Sequence, residues 1–594
     1  MLEPAPDFYS KDSIKENTGG VSFLLRYLLP FRKYIIQLLI GMVATTLITL
    51  VFPFLMQMMI DEGVNNRNSS VVTLVLLSQL FLFIGRTIID MIRSWLILHM
   101  NSRISFNIIS DFLIKLLRLP IKYFDTKTVG DISQRINDHH RIENFLTGSV
   151  LSSIFSIINI IFFSFIIAFY SWTIFVIFIV LSIMGVVWIL LFKKKRRQLD
   201  YKRFARNREN QDKLYEMITG MQEIKLYGSE TPKRWEWEHL QVKSFRLNIK
   251  SLALEQYQQT GLTFFTTLKN IVVSFIAANE AINGSITLGM VLSISYIVGQ
   301  TNGPIEQLVG FIKSSQDARL SMDRLQEIHN KKEEEKNEDI DVNNQSIQHD
   351  DIYIRNVSYQ YEGPRSPYVL QNISFTIPKG KVTAIVGASG SGKTTLMKLL
   401  LGFYEPVEGE ILIGDRDLRS ISPKLWRKEC GSVMQEGYIF YDTISKNIAL
   451  DGKEIDGQKM ENAVYTANIK AFIEKSPLGY TTKIGASGVG ISGGQKQRIL
   501  IARAVYKDPN YLFFDEATSS LDANNERKIM DRLNTFFKGR TVLIIAHRLS
   551  TVKNADQIIV LKNGRVAETG DHETLTQLRG KYFELVKNQL ELGQ

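Results

Sequence analysis

Cysteine is almost absent from this chain, whose 594 residues contain a single one, Cys430. One thiol cannot form an internal disulfide, and the residues around it predict a small buried side chain rather than a reactive group. Because no thiol precedes Cys430, thiol chemistry is excluded from everything before it. A cleavable secretion signal is also missing, since Pro4, Asp7 and Asp12 stand ahead of the first apolar run. We therefore expect no such signal here.

A charge pattern typical of nucleic-acid binding is missing too, although Lys and Arg (71) outnumber Asp and Glu (60) and the net charge is +11. The densest basic run, Lys193–Arg197, directly follows an apolar segment. Basic residues are typical of the cytoplasmic end of a membrane span. The excess charge therefore predicts membrane topology, and we expect no nucleic-acid partner.

Long apolar runs are confined to the first half of the chain. A transmembrane helix needs about 20 apolar residues to cross the hydrocarbon core. Six segments meet this requirement: Tyr34–Ile60, Val71–Leu98, Phe145–Phe169, Trp172–Phe192, Gly261–Ala281 and Ile286–Phe311. Val21–Lys33, which precedes them, is apolar with three cations and predicts an interfacial elbow helix.

The loops on one side of these spans have almost no positive charge, with Arg67 as the only clear cation. The other loops are long and basic, as in 101–144, which holds Arg103, Lys115, Arg118, Lys122, Lys127, Arg135 and Arg141. This asymmetry predicts that the N-terminus and the basic loops are cytoplasmic. Both long inside loops have helical patterns, so we expect the spans to continue into the cytoplasm.

Residues 331–350 have almost no apolar side chains, which predicts a linker. From Asp351 onward, short strands and helices alternate as in an α/β nucleotide-binding domain. Strands are expected at Lys381–Val386, Tyr511–Phe514 and Thr541–Ala546, and a hairpin around Asn563 and Gly564. The predicted domains are a tail with the elbow helix (1–33), an all-α polytopic membrane domain of six helices (34–330), the linker (331–350) and an α/β P-loop ATPase domain (351–594).

A complete phosphate-binding motif, G-x-x-x-x-G-K-[ST], follows the strand ending at Val386 and begins a helix predicted over Gly392–Leu401. Its members and the next residue are Gly387, Ala388, Ser389, Gly390, Ser391, Gly392, Lys393, Thr394 and Thr395. The glycines let backbone N–H groups face the ATP phosphates, and the helix adds its positive end. Lys393 would reach the β- and γ-phosphates, and the Thr394 hydroxyl would bind Mg²⁺.

Two adjacent carboxylates, Asp515 and Glu516, follow the apolar strand Tyr511–Phe514. They are expected at the end of that strand, beside the phosphate loop. One suits Mg²⁺ coordination, and the other can polarise the attacking water. We assign Asp515 to the metal and Glu516 to catalysis.

From Asp351 to the end, the chain resembles the nucleotide-binding domain of an ABC transporter, and the preceding spans resemble the exporter type of membrane domain. The resemblance implies that Tyr361 stacks on adenine, that Gln435 contacts ATP and Mg²⁺, and that His547 is a catalytic switch. It also implies that Ser492, Gly493, Gly494 and Gln495 form the signature that closes over ATP, and that Asp522 ends the loop coupling two sites. Two positions depart from the family pattern: Ile491 replaces leucine, and Ala486 stands where many exporters have glutamate.

In this family the phosphate loop of one subunit faces the signature of the other. One copy of each per chain therefore implies a homodimer with two equivalent sites. The resemblance also implies two cytoplasmic coupling helices, in Tyr123–Asp131 and in Gly220–Glu230, which transmit closure of the ATPase domains to the spans.

Among exporters, the chain most resembles bacterial peptide and bacteriocin exporters that carry an N-terminal cysteine peptidase. That peptidase is absent here, and we expect it to have been removed or lost, with no leader cleavage by this chain. The resemblance implies ATP-driven peptide export across a bacterial inner membrane. A lipid flippase or multidrug exporter is the alternative, and an ATP-gated channel or regulator is disfavoured by the intact Glu516 and His547.

Several other residues allow two interpretations. Arg86, Asp90 and Arg93 share one face of the second span, and with Lys269 in the fifth span they form either a structural ion-pair network or a substrate lining. His139, His140 and Glu143 have helical spacing suited to a metal, against a solvated helix face. Trp235 and Trp237 are expected to pack between long cytoplasmic helices.

Overall fold

The fold is described from a computed structural model covering residues 28–335 and 347–591, apart from 364, 451, 453, 486, 487, 547 and 549–551. The chain forms two compact units. The first, helical unit ends at Lys332 and omits Pro120–Asp125. The second unit consists of Pro120–Asp125 and the chain from Glu333 onward.

Long helices make up the first unit. They are α1 (Arg32–Met58), α2 (Ser69–Leu117), α4 (Val129–Glu143), α5 (Val150–Tyr170), α6 (Trp172–Leu191), α7 (Lys193–Thr219), α8 (Met221–Leu226), α9 (Glu230–Ile282), α10 (Leu288–Gln300) and α11 (Asn302–His329), while α3 (Ile121–Asp125) lies in the second unit. Their starts follow local chemistry: the Asn68 side chain accepts from the first backbone N–H groups of α2, and Ser171 does the same for α6.

Five helical stretches within the described ranges are long and apolar enough to cross a membrane, and they match the first five predicted spans, of which the fourth extends one residue further, to Phe192. Two of them, α2 and α9, run far past their apolar segments, with 49 and 53 residues. The prediction that spans continue beyond the membrane is therefore confirmed for these helices. π-helical turns at Met59–Val64 and Asn144–Ser149 lead out of α1 and into α5.

The sixth predicted span, Ile286–Phe311, is not one continuous helix but is divided between α10 and α11 at Thr301. Pro304 explains the division, because a proline lacks the N–H and its ring crowds the carbonyl four residues earlier, that of Gln300. The Thr301 hydroxyl donates to the Val298 carbonyl at 2.7 Å and satisfies one of the carbonyls in the last turn of α10.

The predicted elbow helix falls mostly outside the described residues. Its last part is a 3₁₀ turn at Leu29–Phe31, and Arg32 already begins α1. The middle of the predicted linker likewise lies outside the described ranges. Its first two residues belong to the first unit and Glu333–Glu335 to the second, where the Arg427 guanidinium donates to both Glu334 oxygens, at 2.8 and 2.5 Å.

The charged residues of α2 are paired as expected. Asp90 lies 3.0 Å from the Arg93 guanidinium and 3.7 Å from that of Arg86. Lys269 does not share this network: it is fully buried, its ammonium donates to Asn302 Oδ1 at 3.0 Å, and it lies 5.0 Å from the Phe178 ring centre. For Lys269 the ion-pair interpretation is therefore wrong, since its partners are an amide and an aromatic ring.

The two neighbouring histidines of α4, His139 and His140, lie on different sides of the helix. His139 is buried edge-on against Phe112, so the expectation of a solvated face is wrong for it. His140 is exposed and pairs with Glu143 at 3.2 Å. No group of three or more potential metal ligands occurs within the described part of the chain.

Trp237 packs between α7 and α9 as predicted, and its indole N–H donates to Asn210 Oδ1 at 2.9 Å. Trp235, two residues away, lies on the outside of α9 and is exposed, so the packing prediction is wrong for this residue.

The second unit combines three sheets with short helices. Its strands are β1 (Ile352–Tyr359), β2 (Leu370–Ile377), β3 (Val382–Val386), β4 (Glu408–Ile413), β5 (Arg416–Asp417), β6 (Cys430–Val433), β7 (Asp442–Thr443), β8 (Lys483–Ile484), β9 (Tyr511–Asp515), β10 (Thr541–Ile545), β11 (Gln557–Lys562) and β12 (Arg565–Gly570). Its helices after α3 are α12 (Lys393–Leu400), α13 (Pro423–Glu429), α14 (Ile444–Ile448), α15 (Gly457–Thr466), α16 (Lys470–Lys475), α17 (Gly493–Tyr506), α18 (Ala523–Phe537), α19 (His572–Gln577) and α20 (Lys581–Glu591).

The central sheet has the order β12-β11-β3-β10-β9-β6 and is parallel except for β12. Its inner strands β11, β3, β10 and β9 are largely apolar on both faces because both faces are covered. In β10, for example, Val542 and Ile544 enter one hydrophobic cluster, whereas Leu543 and Ile545 enter the other. The remaining sheets are antiparallel, with orders β2-β1-β4-β5 and β7-β8.

Three local predictions are confirmed in this unit. The expected strands are β3, β9 and β10, and the expected helix is α12. Asn563 and Gly564 join β11 to β12 with φ angles of 50° and 75°, the conformation of a tight hairpin turn. Cys430 is buried, and this burial raises the pKa of its thiol well above the ordinary value.

Candidate functional site

The phosphate loop connects β3 to α12 at the carboxyl end of the central sheet. Gly387 is a glycine for a steric reason: a Cβ there would lie 2.3 Å from the Leu561 carbonyl oxygen. Gly392 has φ +98°, and a Cβ there would lie 2.5 Å from the Leu370 side chain. The tip, 388–390, is exposed, whereas Ser391 and Lys393 are buried. The loop is therefore fixed at both ends and open at the tip.

Lys393 lies folded along this loop. Its ammonium donates to the carbonyls of Gly387 at 2.8 Å and Ala388 at 2.9 Å. Burial lowers the pKa of Lys393, and the charges of Glu516 and Asp515 act in the opposite direction. The structure thus brings the predicted lysine and both predicted carboxylates into one electrostatic environment.

Asp515 is the last residue of β9 and is buried. Glu516 follows it with φ 50°, an uncommon conformation for a residue with a side chain, and its N–H bonds to the Ile545 carbonyl at 3.0 Å. This turn directs Glu516 toward Gln435, whose Nε2 lies 3.2 Å from Glu516 Oε2. The predicted base and the predicted glutamine are therefore neighbours.

Three predicted ligands have the donor chemistry of a magnesium site. Mg²⁺ prefers hydroxyl, amide and carboxylate oxygens together with phosphate oxygens. Gln435 uses its NH₂ group toward Glu516, which leaves its amide oxygen as an acceptor. With the Thr394 hydroxyl and the Asp515 carboxylate, these residues fit the ion.

Tyr361 lies beside the helix that follows the phosphate loop. Its hydroxyl is 3.0 Å from Thr395 Oγ1, and its ring centre is 5.0 Å from that of Tyr359 and 5.5 Å from that of Tyr404. Tyr361 is 39% exposed, so part of its side chain is accessible. The position suits a ring that stacks on a base next to the phosphate loop.

The predicted signature residues build the start of α17. The Ser492 hydroxyl accepts from the Gln495 N–H at 3.2 Å, and the Gln495 side chain accepts from the Ser492 N–H at 2.8 Å. This capping box stabilises the N-terminus of the helix, which is exposed at Ser492 and Gly493. Such an end binds anions such as phosphate. Ile491 packs against the core as an apolar residue, as leucine would.

Sequence reasoning missed Gln497, which joins the signature helix to the carboxylates. Its Nε2 donates to the Glu516 carbonyl at 2.8 Å, and its Oε1 accepts from the Ser520 N–H at 3.0 Å. At the start of α18 the Asp522 carboxylate accepts from the Asn525 side-chain amide at 2.7 Å and from the Asn525 backbone N–H at 2.9 Å, and these bonds lower the pKa of its carboxyl. The sequence around Gln497 gave no indication that its side chain would contact both Glu516 and Ser520.

The two predicted coupling segments differ in their surroundings. The first segment contains α3, which clusters with the second unit, and the Tyr404 hydroxyl donates to the Asp125 carboxylate. The second contains α8, where Leu226 and the neighbouring Tyr227 are exposed. His547 and Ala486 lie outside the described residues.

Two family models match the chain. The ABC transporter transmembrane region matches residues 35–305, and the ABC transporter model matches residues 370–519. The chain is 33% identical over 580 residues to the leukotoxin export ATP-binding protein LtxB of Aggregatibacter actinomycetemcomitans, covering 97% of this chain and 81% of that protein. It is also 33% identical to the alpha-hemolysin translocation ATP-binding protein HlyB of Escherichia coli, covering 92% and 77%.

A solved structure of a bacterial Atm1-family ABC exporter with ATP bound has the same fold, with a TM-score of 0.85 and 25% identity over 96% of this chain and 99% of that one. The chain belongs to the ABC transporter family, as an exporter of half-transporter architecture. It is accordingly a membrane protein that binds nucleotide and couples ATP hydrolysis to transport.

Proposed function

We propose that two copies of this chain form a homodimer that exports polypeptides across a bacterial inner membrane, with the ATPase domains in the cytoplasm. The observation that carries the dimer is that no signature residue lines the cavity at the phosphate loop of the same chain, among the described residues. The signature glycines Gly493 and Gly494 have Ser520 as their neighbour, and the cavity at the phosphate loop is lined by 560–563 and α20 instead. A second copy supplies the missing half of each site.

At each ATP site, the residues of one copy then have distinct roles. Tyr361 stacks on adenine, the loop 387–395 holds the phosphates, and Thr394, Gln435 and Asp515 hold Mg²⁺, which neutralises phosphate charge. Glu516 accepts a proton from the attacking water, and His547 completes the site. The partner's copy of Ser492–Gln495 presents its helix N-terminus to the γ-phosphate.

The neighbours of Glu516 support its assignment as the general base. A general base must be ionised and within reach of water. The amide contact from Gln435 orients the Glu516 carboxylate without giving it a proton. Gln497 fixes the backbone on which Glu516 stands, because it bonds to the Glu516 carbonyl.

Closure of the ATPase domains is transmitted through the coupling helices. The bond between Tyr404 and Asp125 attaches α3 to the domain of its own chain. The exposed apolar residues of α8 support docking on the second copy, since exposed Leu226 and Tyr227 would be covered there.

The polypeptide substrate rests on the relatives, whose names state leukotoxin export and alpha-hemolysin translocation. The alternative is a lipid flippase or multidrug exporter, which would use the same ATPase residues. The test measures ATPase stimulation of the purified chain in lipid vesicles by peptides, lipids and drugs in parallel. Stimulation by peptides is expected, and stimulation by lipids or drugs alone would overturn the substrate proposal.

A further inference from the structure

A charged cluster in the second predicted span has more hydrogen-bond donors than the protein uses. Arg86, Asp90 and Arg93 of α2 carry two positive charges against one negative charge. Each guanidinium has five N–H donors. Yet within the described ranges neither the Arg86 nor the Arg93 guanidinium donates a hydrogen bond. The buried Asp90 Oδ1 lies 3.0 Å from the Arg93 guanidinium but also has no hydrogen-bond partner. The ion pairs with Asp90 therefore leave most of the N–H donors of both guanidinium groups available to another partner.

The cluster is accessible and is turned away from lipid. The side chains of Arg86, Asp90 and Arg93 are 38%, 35% and 24% exposed. The opposite face of α2 carries large exposed apolar residues at helical spacing, namely Leu77, Phe81, Ile84, Ile88, Met91 and Trp95. That apolar face suits contact with lipid chains, whereas charges inside a membrane turn toward protein or water.

Other helices of the unit lie on the charged side. The Arg93 guanidinium lies 5.2 Å from the ring centre of Phe155 on α5, and Arg86 is within electrostatic range of Tyr296 on α10. Along α2, Arg86 lies roughly 26 Å and Arg93 roughly 36 Å from Ser69 at the helical rise. With a hydrocarbon core of about 30 Å, Arg86 lies in its cytoplasmic half and Arg93 lies at or just beyond its cytoplasmic boundary. A substrate entering from the cytoplasm would meet it early.

We infer that Arg86, Asp90 and Arg93 form a binding site for the acidic side chains of the exported polypeptide. Asp90 holds the two guanidinium groups in place while leaving a net positive charge. A carboxylate from the substrate would take up donors that the protein leaves unused, and charge-assisted bonds of this kind are strong. This inference rests on the proposed export of polypeptides.

The test compares two labelled peptides on the homodimer in nanodiscs of zwitterionic phosphatidylcholine, by fluorescence anisotropy at fixed salt. One peptide is rich in glutamate, and in the other every glutamate is glutamine. The wild type should bind the acidic peptide about tenfold more tightly, which corresponds to about 1.4 kcal/mol. R86Q/R93Q should abolish this preference, and R86K/R93K should retain part of it.

Arg103 provides a matched control, because it is an exposed arginine on the same helix, beyond the predicted span. R103Q should keep the acidic preference. An unchanged preference in R86Q/R93Q, or a loss of preference in R103Q as well, overturns the inference. The R86K/R93K variant guards against a folding defect in the glutamine variant.

Two further outcomes also overturn it. If phosphatidylglycerol in the disc abolishes the acidic preference of the wild type, a lipid phosphate occupies the site. If R86Q/R93Q becomes monomeric, the cluster is a contact between copies. If the wild-type protein binds both peptides equally, only this inference is refuted. If it binds neither peptide and neither changes its ATPase activity, the proposal of polypeptide export is refuted together with this inference.

Discussion

Replacing Glu516 by glutamine should separate ATP binding from ATP hydrolysis. The change removes one negative charge and the proton acceptor while keeping nearly the same shape. The Gln435 NH₂ group, 3.2 Å from Glu516 Oε2, can donate equally well to the oxygen of the new amide. Glutamate and glutamine have similar backbone preferences, so the turn at residue 516, with its φ of 50°, should persist. The geometry of the site is therefore expected to survive.

The magnitude follows from what a positioned base contributes. General base catalysis accelerates a reaction by about 10²–10⁴-fold, equivalent to roughly 2.7–5.5 kcal/mol. Turnover of Glu516→Gln should fall by that factor. ATP binding should be equal or tighter, because a negative charge that acts on Lys393 is lost from beside the phosphates.

The assay pairs phosphate release with retention of radiolabelled ATP on the purified dimer. Glu436→Gln is the matched control, since Glu436 is an exposed carboxylate next to Gln435 in the chain and should leave both quantities unchanged. Hydrolysis by Glu516→Gln at the wild-type rate would refute the assignment of the base. Loss of ATP binding would instead refute the argument that the site keeps its geometry.

Three other perturbations test separate parts of the account. Gly387→Ala should abolish ATP binding because its Cβ would lie 2.3 Å from the Leu561 carbonyl oxygen. Gly390→Ala has open space around the added Cβ and should cost only about 1–2 kcal/mol of conformational strain. Equal ATP affinity in the two variants would contradict this. Tyr361→Ala should weaken ATP binding by about 1 kcal/mol, roughly fivefold, and Tyr361→Phe much less, as read from KM; an equal effect of both would exclude stacking. Burial raises the pKa of the Cys430 thiol, so maleimide labelling should be slow until the protein is unfolded, and rapid labelling of the native protein would contradict the burial. The raised pKa also means that the thiol's contribution to stability is full below about pH 8.5 and is lost as the pH rises further, a dependence that Cys430→Ala should remove from the free energy of unfolding.

The parts of the fold that follow from local chemistry were predictable. The buried strand β9 has a continuous apolar pattern, the helix α12 begins where the phosphate-loop motif places it, and the Asn563–Gly564 turn has the residues that its backbone requires. The phosphate loop and its neighbouring carboxylates follow from a motif whose spacing is set by phosphate geometry.

Features that depend on long-range packing were not predictable. Burial of His139 against Phe112 and the amide partner of Lys269 involve residues far apart in the chain. The same holds for Gln497, whose two partners lie beyond the strand β9. The division of the sixth span is different, because Pro304 was a local signal that the hydropathy pattern concealed.

The central claim, that each ATP is shared between two copies, is tested most directly with mixed dimers carrying Lys393→Ala and Gly493→Asp. Gly493 has its nearest neighbour 3.7 Å from an added Cβ, so the aspartate fits while placing a negative charge at the signature. If the site is shared, one change on each copy leaves one site intact and about half of the ATPase activity, whereas both changes on one copy beside a wild-type copy disable both sites. The opposite result, with activity only when both changes are on the same copy, would show that each chain holds ATP alone and would contradict the account.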